Sequence, residues 1–364
     1  PLISSIADYS GKHRLYMKFF CYMGAIGCML LFFFKDAQHV HLALGGMLLA
    51  TIGYSGSIVF YNSYLPAIAT EDRQDRTSAR GYAFGYLGAT TLLIINIVFM
   101  MNQEALGIKD DTLLQRLSFL LTGLWWLGFA QIPLNTLPKG LSTPNQKGKN
   151  IMNGYKELLK VWNRLKAHPR ARTFLLSFFF YIMGVQTVMF MASSFGNKEI
   201  HMGDIELVIT ILILEYIGIG GAFLFAWISR QVGNIKALIL AVSVWILICA
   251  GSYFIQTAIH FYIAAFFIGL VMGGIQSLSR STYAKMIPTT GNNAGYFSFY
   301  DVCEKVAMMC GLIMFGTLDN LTGSMRNSIM GLALWFTIGL VLLIVVDRIR
   351  LVKQGDAESK VLTQ

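Results

Sequence analysis

The chain alternates long apolar runs with short polar breaks. Ten runs reach the roughly 20 residues a helix needs to cross hydrocarbon. They fall at 15–34, 40–66, 80–101, 114–134, 173–195, 206–228, 235–256, 261–288, 296–318 and 325–347. Residues 1–7 read as the tail of an eleventh. None of the runs alternates at period two over about ten residues, as membrane barrel strands do. The pattern predicts transmembrane helices, and the fold class is an all-α polytopic membrane protein.

The polar breaks carry the orientation. With the loop after Asp8 placed on the cytoplasmic side, alternate breaks and adjoining helix ends on that side hold 24 of the 29 Lys and Arg. The opposite side holds Lys35, Lys109, Arg116, Lys198 and Arg326. Positive residues accumulate on the cytoplasmic face of short-looped membrane proteins. The longest break, 135–172, has nine Lys/Arg, one acid (Glu157), and Pro138, Pro144 and Pro169. Inside it Ile151, Tyr155, Leu158, Leu159, Trp162 and Leu165 follow helical spacing, with Lys156, Lys160 and Arg164 on another face. Residues 151–167 are expected to form an amphipathic helix on an anionic leaflet, the alternative being an ordinary basic linker. The organisation is thus 1–134 as an amino-terminal transmembrane half, 135–172 as linker, 173–347 as a carboxy-terminal half, and 348–364 as a cytoplasmic tail.

Composition agrees with this reading. Hydrophobic residues make up 55 % and charged residues 13 %, with a mean hydropathy of +0.56. A soluble domain carries roughly 25 % charged residues. The net charge of +10 therefore reports membrane orientation and not nucleic-acid binding. Cys21, Cys28, Cys249, Cys303 and Cys310 lie in apolar runs without a CxxC pair, which argues against metal or a disulfide framework. His39 and His41, two residues apart, diverge on a helix and read as interfacial. The sequon at Asn320–Thr322 falls in a loop of a few residues and carries little weight.

The two halves repeat. Gly11 and Gly233 are 222 residues apart, as are Pro66 and Pro288. Gly81-Tyr82 with Tyr86 matches Gly295-Tyr296 with Tyr300 at an offset of 214. Thr173 begins its half 60 residues before Gly233, whereas ten residues precede Gly11. The expectation is a twelve-span protein of six plus six, with the first helix and most of the second absent from this chain. Parallel half-repeats joined by a cytoplasmic linker fit the major facilitator architecture.

Specific strings carry a family resemblance. Asp8-x-x-Gly11-Lys12-x-Arg14 resembles the loop 2–3 signature of the major facilitator superfamily, with Ser4 in place of its usual glycine. Tyr61-Asn62-Ser63-Tyr64-Leu65-Pro66, Arg80 through Gly88, Gly184-Val185-Gln186-Thr187, Gln276 through Ser281, and Phe299-Tyr300-Asp301 resemble one branch, the vacuole-effluxer-like family. That resemblance covers essentially the whole chain. It implies a facilitator fold, amino-acid efflux as practised by fungal members, and a loop 2–3 that braces the start of the eleventh span near Gly295. The chain departs from the family pattern at Met183, where many members have an acid, and at Glu215, where many have Gln. The stretch Asn293-Ala294-Gly295-Tyr296 also departs, standing where the family is aromatic-rich and carries an acid.

Three sets of residues are candidates for chemistry. Glu215 lies ~13 Å into its span, near the midplane, where a charge is costly and such groups face protein or water. It is the candidate proton carrier, with Gln186, Thr187, Gln276 and Asn62 as neighbouring pathway residues. Arg280 lies ~28 Å from the outer end of its span, and Asp301, Glu304 and Lys305 share one face of the next helix. With Arg80 these form a candidate cytoplasmic gate, in which Arg280 pairs with Asp301 or Glu304. Asp8, Gly11, Lys12 and Arg14 are the loop 2–3 set. The glycines Gly81, Gly85 and Gly88, with Gly218, Gly220, Gly221, Gly273 and Gly274, predict close helix contacts.

No GxxxxGK[ST] loop is present, so a nucleotide does not drive the cycle. The leading reading is a secondary transporter moving a small zwitterionic or anionic solute by alternating access, ion coupled and monomeric, in a bacterial inner membrane. It calls for no cofactor, no metal and no nucleic acid. A transporter-like sensor without flux is the alternative. An intramembrane enzyme would need paired acids, a His–Glu set or a Ser dyad at depth, and the chain offers one midplane acid.

Overall fold

The structure, a computed structural model, describes residues 1–103, 105, 110, 112–139, 151–287 and 293–362. The Pro144, Lys109 and Pro288 positions lie outside the described residues. The helices are α1 (Leu2–Ser10), α2 (His13–Leu30), α3 (Val40–Ser63), α4 (Leu65–Ile68), α5 (Gln74–Met101), α6 (Leu113–Thr136) and α7 (Ile151–Ala167). They continue with α8 (Pro169–Ile200), α9 (Asp204–Val232), α10 (Asn234–Gly251), α11 (Ala258–Met286), α12 (Asn293–Thr322) and α13 (Met325–Leu362).

Among the described residues, nine helices are long and apolar enough to cross a membrane. The tenth expected span, 296–318, falls within the 30-residue α12. Asp301, Glu304, Lys305 and Asp319 lower its hydropathy without interrupting its backbone. Helices α5 and α8 begin well before their apolar runs. Helix α5 starts at Gln74 rather than residue 80, because Gln74, Asp75 and Ser78 are buried in protein contacts instead of ending the helix. Helix α8 starts at Pro169, whose missing N–H is no loss in a first turn. Past the expected span end at 347, α13 continues as helix to Leu362.

Contacts divide the chain into two compact units that differ from the two halves expected from the repeat. The first holds α1–α4, α5 from Ala89, α6, α7 to Trp162, and α12 to Asp301. The second holds α5 to Gly88, the end of α7, α8–α11, α12 from Val302, and α13.

Lipid tails are as apolar as leucine, so helices in a membrane associate through close packing and hydrogen bonds. In the first unit α2 lies along α3 and α6. A methyl group on Gly46 would stand 3.0 Å from the Gly27 carbonyl oxygen, which shows how near α2 and α3 approach. Met17, Phe20, Cys21, Phe60, Tyr64 and Leu134 fill the core, with Phe60 between Tyr16 and Phe20 at 5.9 and 6.0 Å.

In the second unit α9 packs along α11 and α8 along α13. A methyl on Gly269 would come within 2.7 Å of the Leu214 carbonyl oxygen, and Gly221 and Gly273 make similar approaches across α9 and α11. Gly85 and Gly220, expected at helix contacts, face open space instead. Trp245 and Phe336, both 0 % exposed, stack at 5.4 Å, and the Ser177 hydroxyl donates to the Gly339 carbonyl at 2.6 Å.

Gly11 and Gly233 are the two repeat-related positions where backbone geometry explains the residue. Each joins two helices at positive φ, 69° and 88°. Only glycine adopts that region without a Cβ penalty.

Candidate functional site

Each of the two compact units holds one polar cluster built on a buried acid.

The first cluster is built on Asp8, which is 4 % exposed at the end of α1. Its Oδ2 accepts the Gly295 amide at 2.6 Å and its Oδ1 the Ala294 amide at 3.2 Å. These are first-turn amides of α12, which have no partner within their own helix and carry its positive dipole end. His13 is completely buried, with Nε2 2.6 Å from Asp8 Oδ1. Arg14 donates from Nη1 to the Leu137 carbonyl at 3.0 Å, tying α2 to the chain after α6. Lys12 is exposed.

The second cluster is built on Asp75, in the first turn of α5. Its Oδ2 accepts from Lys285 Nζ at 2.8 Å and from the Ser229 hydroxyl at 3.0 Å. Its Oδ1 accepts from Asn234 Nδ2 at 2.7 Å. Lys285 also reaches Asn234 Oδ1 at 3.1 Å. Helices α5, α9, α10 and α11 therefore converge on one buried carboxylate. The repeat accounts for its place. Loop 2–3 meets the start of α12 in the first cluster, and the α9–α10 turn meets the start of α5 in the second. The acid has changed sides: it is on the turn in the first and on the helix in the second. Arg230, which stands at the repeat position of Asp8, is exposed. Just outside the membrane, Asp72 is held below the usual carboxylate range, chiefly by the Thr70 hydroxyl and further by Arg73 and Arg230.

Above the second cluster lies Arg280, 3 % exposed. Its Nε donates to Ser78 Oγ at 2.9 Å and its Nη2 to the Ser78 carbonyl at 2.8 Å, and the guanidinium covers the Tyr82 ring at 4.6 Å. Ser78 in turn donates to the Ser277 carbonyl at 2.6 Å. One helical turn further along, Tyr86 donates to Gln276 Oε1 at 2.6 Å. The start of α5 is thus bound along two turns to α11.

The remaining expected residues are dispersed. Gln186 donates from Nε2 to Glu304 Oε1 at 2.5 Å, joining a pathway candidate to a gate candidate. Thr187 is fully buried against Gly311 and donates to the Met183 carbonyl of its own helix. Arg80 is exposed, and its neighbour Ser78 occupies the buried face instead. Asn62 and Asp301 are buried and Lys305 is half-buried.

Glu215 lies 11 residues into α9, ~16 Å along its axis. It lines a cavity of about 200 Å³ with Ser193, Thr210, Met189 and Phe261. Among the described residues no side chain hydrogen-bonds to the Glu215 carboxyl.

Asp75, Ser78, His13 and Lys285 were not legible as site residues in the sequence. Asp75 is one acid among Arg73, Arg76 and Arg80, which reads as a solvated charge run. The weak signal was positional, an acid in the first turn of a span that the repeat aligns with α12.

The model of the family described as "Vacuole effluxer Atg22 like" matches residues 1–356. The chain belongs to that family. It is 29 % identical over 344 residues to the uncharacterised MFS-type transporter YxiO of Bacillus subtilis (strain 168), covering 94 % of this chain and 79 % of that protein. It is 26 % identical to autophagy-related protein 22-1 of Phaeosphaeria nodorum, covering 99 % of this chain and 74 % of that one. Among solved structures, the E. coli fucose:proton symporter FucP matches with a TM-score of 0.73 at 14 % identity, over 95 % of this chain and 87 % of that one. The proton:xylose symporter XylE matches with a TM-score of 0.72 at 13 % identity, over 94 % and 83 %. The fold is that of the major facilitator superfamily. The chain is an integral multi-pass membrane protein of the Atg22-like branch, a family of transporters and not of enzymes.

Proposed function

We propose that this protein is a proton-coupled secondary transporter of small amino-acid-class solutes, working by alternating access. The observation that carries the reading is Glu215, a mid-span carboxyl with no hydrogen-bond partner among the described residues, lining a cavity with Ser193 and Thr210. A half-buried acid inside a span, without a fixed partner, is a group that takes up and releases a proton or a cationic group as its surroundings change. The two clusters supply the gate. Each ties the start of a helix in one repeat to the end or turn of a helix in the other, and each is held by a few exchangeable hydrogen bonds. The linker end faces the cytoplasm in this reading, supported by the 24 of 29 Lys and Arg assigned to that side. The membrane is a bacterial cytoplasmic membrane, a placement favoured by the Bacillus relative.

Counterflow of a pooled, labelled amino-acid set into liposomes tests the reading, with wild type beside Glu215→Gln. Saturable exchange in wild type, retained in the variant while pH-driven accumulation is lost, is the expected result. Accumulation that responds equally to pH in both proteins removes Glu215 as the coupling group. Absence of counterflow from folded protein removes amino acids as the substrate class.

A further inference from the structure

Helix α7 carries more apolar surface than the protein covers. At about 100° per residue, Val161, Leu165 and Leu158 occupy one arc of the helix, Trp162, Tyr155 and Leu159 the next, and Lys156, Lys160 and Arg164 the arc beyond. The first arc is turned inward, with Val161 and Leu165 exposed by 1 % and 4 %. The second is largely solvent-facing, with Tyr155, Leu159 and Trp162 exposed by 52 %, 43 % and 41 %. All three cations are exposed as well.

The occupant of that strip follows from its chemistry and its place. Helix α7 lies between the end of one span, Thr136, and the start of another, Pro169, which keeps it at the bilayer surface. A Tyr–Leu–Trp strip bordered by cations suits the boundary layer, with rings among the upper acyl chains and ammonium or guanidinium groups at phosphate. Lysine and arginine on that border select an anionic leaflet over a neutral one.

The inward arc reaches the first cluster of the gate. Gly295, whose amide holds Asp8, is enclosed on both sides: a methyl group there would stand 3.2 Å from Asp8 Oδ2 and 3.2 Å from Val161 Cγ2. One turn along α12, Phe299 stacks on Trp162 with ring centres 5.4 Å apart. The linker helix therefore backs the same turn of α12 that Asp8 caps.

We infer that α7 is a lipid-sensing brace: its exposed strip docks on an anionic phospholipid leaflet, and docking presses the first turn of α12 onto Asp8, favouring the closed linker end. The consequence for transport rests on the function proposed above, but the coupling is measurable without transport.

The test uses the full chain in nanodiscs of phosphatidylcholine alone and of phosphatidylcholine mixed with phosphatidylglycerol. Hydrogen–deuterium exchange is followed over 151–167 and 293–301. Phosphatidylglycerol is expected to slow exchange in both segments by about fivefold or more, the factor that roughly one surface cation contributes. K156Q/R164Q loses the response in both segments. V161A keeps it over 151–167 and loses it over 293–301. High salt, applied to wild type, abolishes it without any substitution. Equal exchange in the two lipids, a response that survives high salt, or a wild-type response confined to 151–167 overturns the inference.

Discussion

The Asp75 carboxylate stands 2.8 Å from Lys285 Nζ, joining residues 210 positions apart on α5 and α11. The side chains are 6 % and 19 % exposed, so the pair is largely withdrawn from solvent. Removing one partner of such a pair leaves the other charge without compensation, at a cost of about 3–5 kcal/mol. Asp75→Ala and Lys285→Ala should therefore each lower the melting temperature strongly. The double variant should lose less than the sum, and strict additivity in that cycle would mean the two charges do not interact.

Asp8 holds two amides that nothing else in α12 can satisfy. Asp8→Ala leaves both orphaned, at about 1–3 kcal/mol each. Exchange of the Ala294 and Gly295 amides should accelerate far more than exchange over the rest of α12. Uniform acceleration along the helix would indicate general loosening instead.

Arg280 contacts Ser78 through two nitrogens and covers the Tyr82 ring. A lysine cannot reproduce that fork and plane together. Arg280→Lys should behave nearly as badly as Arg280→Met in thermal unfolding. Tyr82→Phe should be mild and Tyr82→Leu should cost ~1–2 kcal/mol, the range for a desolvated cation–π contact. An Arg280→Lys protein as stable as wild type would refute the role given to the guanidinium.

The α9–α11 contact depends on glycine. Since a methyl on Gly269 would lie 2.7 Å from the Leu214 carbonyl oxygen, Gly269→Ala must push the helices apart. The expected loss is ~1–3 kcal/mol. Gly220→Ala, facing open space, should be neutral in the same melting assay. Equal effects at both sites would contradict the packing described.

At the opposite end from the linker, Asp110 accepts from the Thr112 hydroxyl at 2.8 Å, from the Thr112 amide at 2.9 Å and from Arg116 at 2.5 Å. These hold its carboxyl below the usual carboxylate range, with the Thr112 hydroxyl contributing most. The folded pKa is depressed, so its stabilising effect is complete above the unfolded pKa and is lost as pH falls through the folded one. Thr112→Ala should move the Asp110 titration upward, as read by infrared difference spectroscopy of the carboxyl. An unmoved titration would assign the shift to the Thr112 amide and Arg116.

The spans, their order, the linker helix and the family were legible in the sequence because hydrocarbon imposes a one-dimensional rule. About 20 apolar residues make a crossing whatever their neighbours are. The repeat was legible through Gly11 and Gly233, whose positive φ restricts the residue locally. Glu215 was visible because an acid inside an apolar run needs no partner to be conspicuous. Asp75, His13 and Ser78 were not, since what sets them apart is the residue that meets each one in the folded chain. Lys285 and Arg280 meet Asp75 and Ser78 from 210 and 202 positions away, and Asp8 meets His13 across a turn five positions away. The same reason explains Arg80 and Thr187. Spacing placed them near the right depth, but which face of a helix is buried depends on the neighbouring helix. The sequence by itself determined that this chain lies in a membrane as a series of helical spans. Only the tertiary structure decided that α12 is held by Asp8, that α5 is held through Asp75, and that Val161 of the linker rests against the first of these.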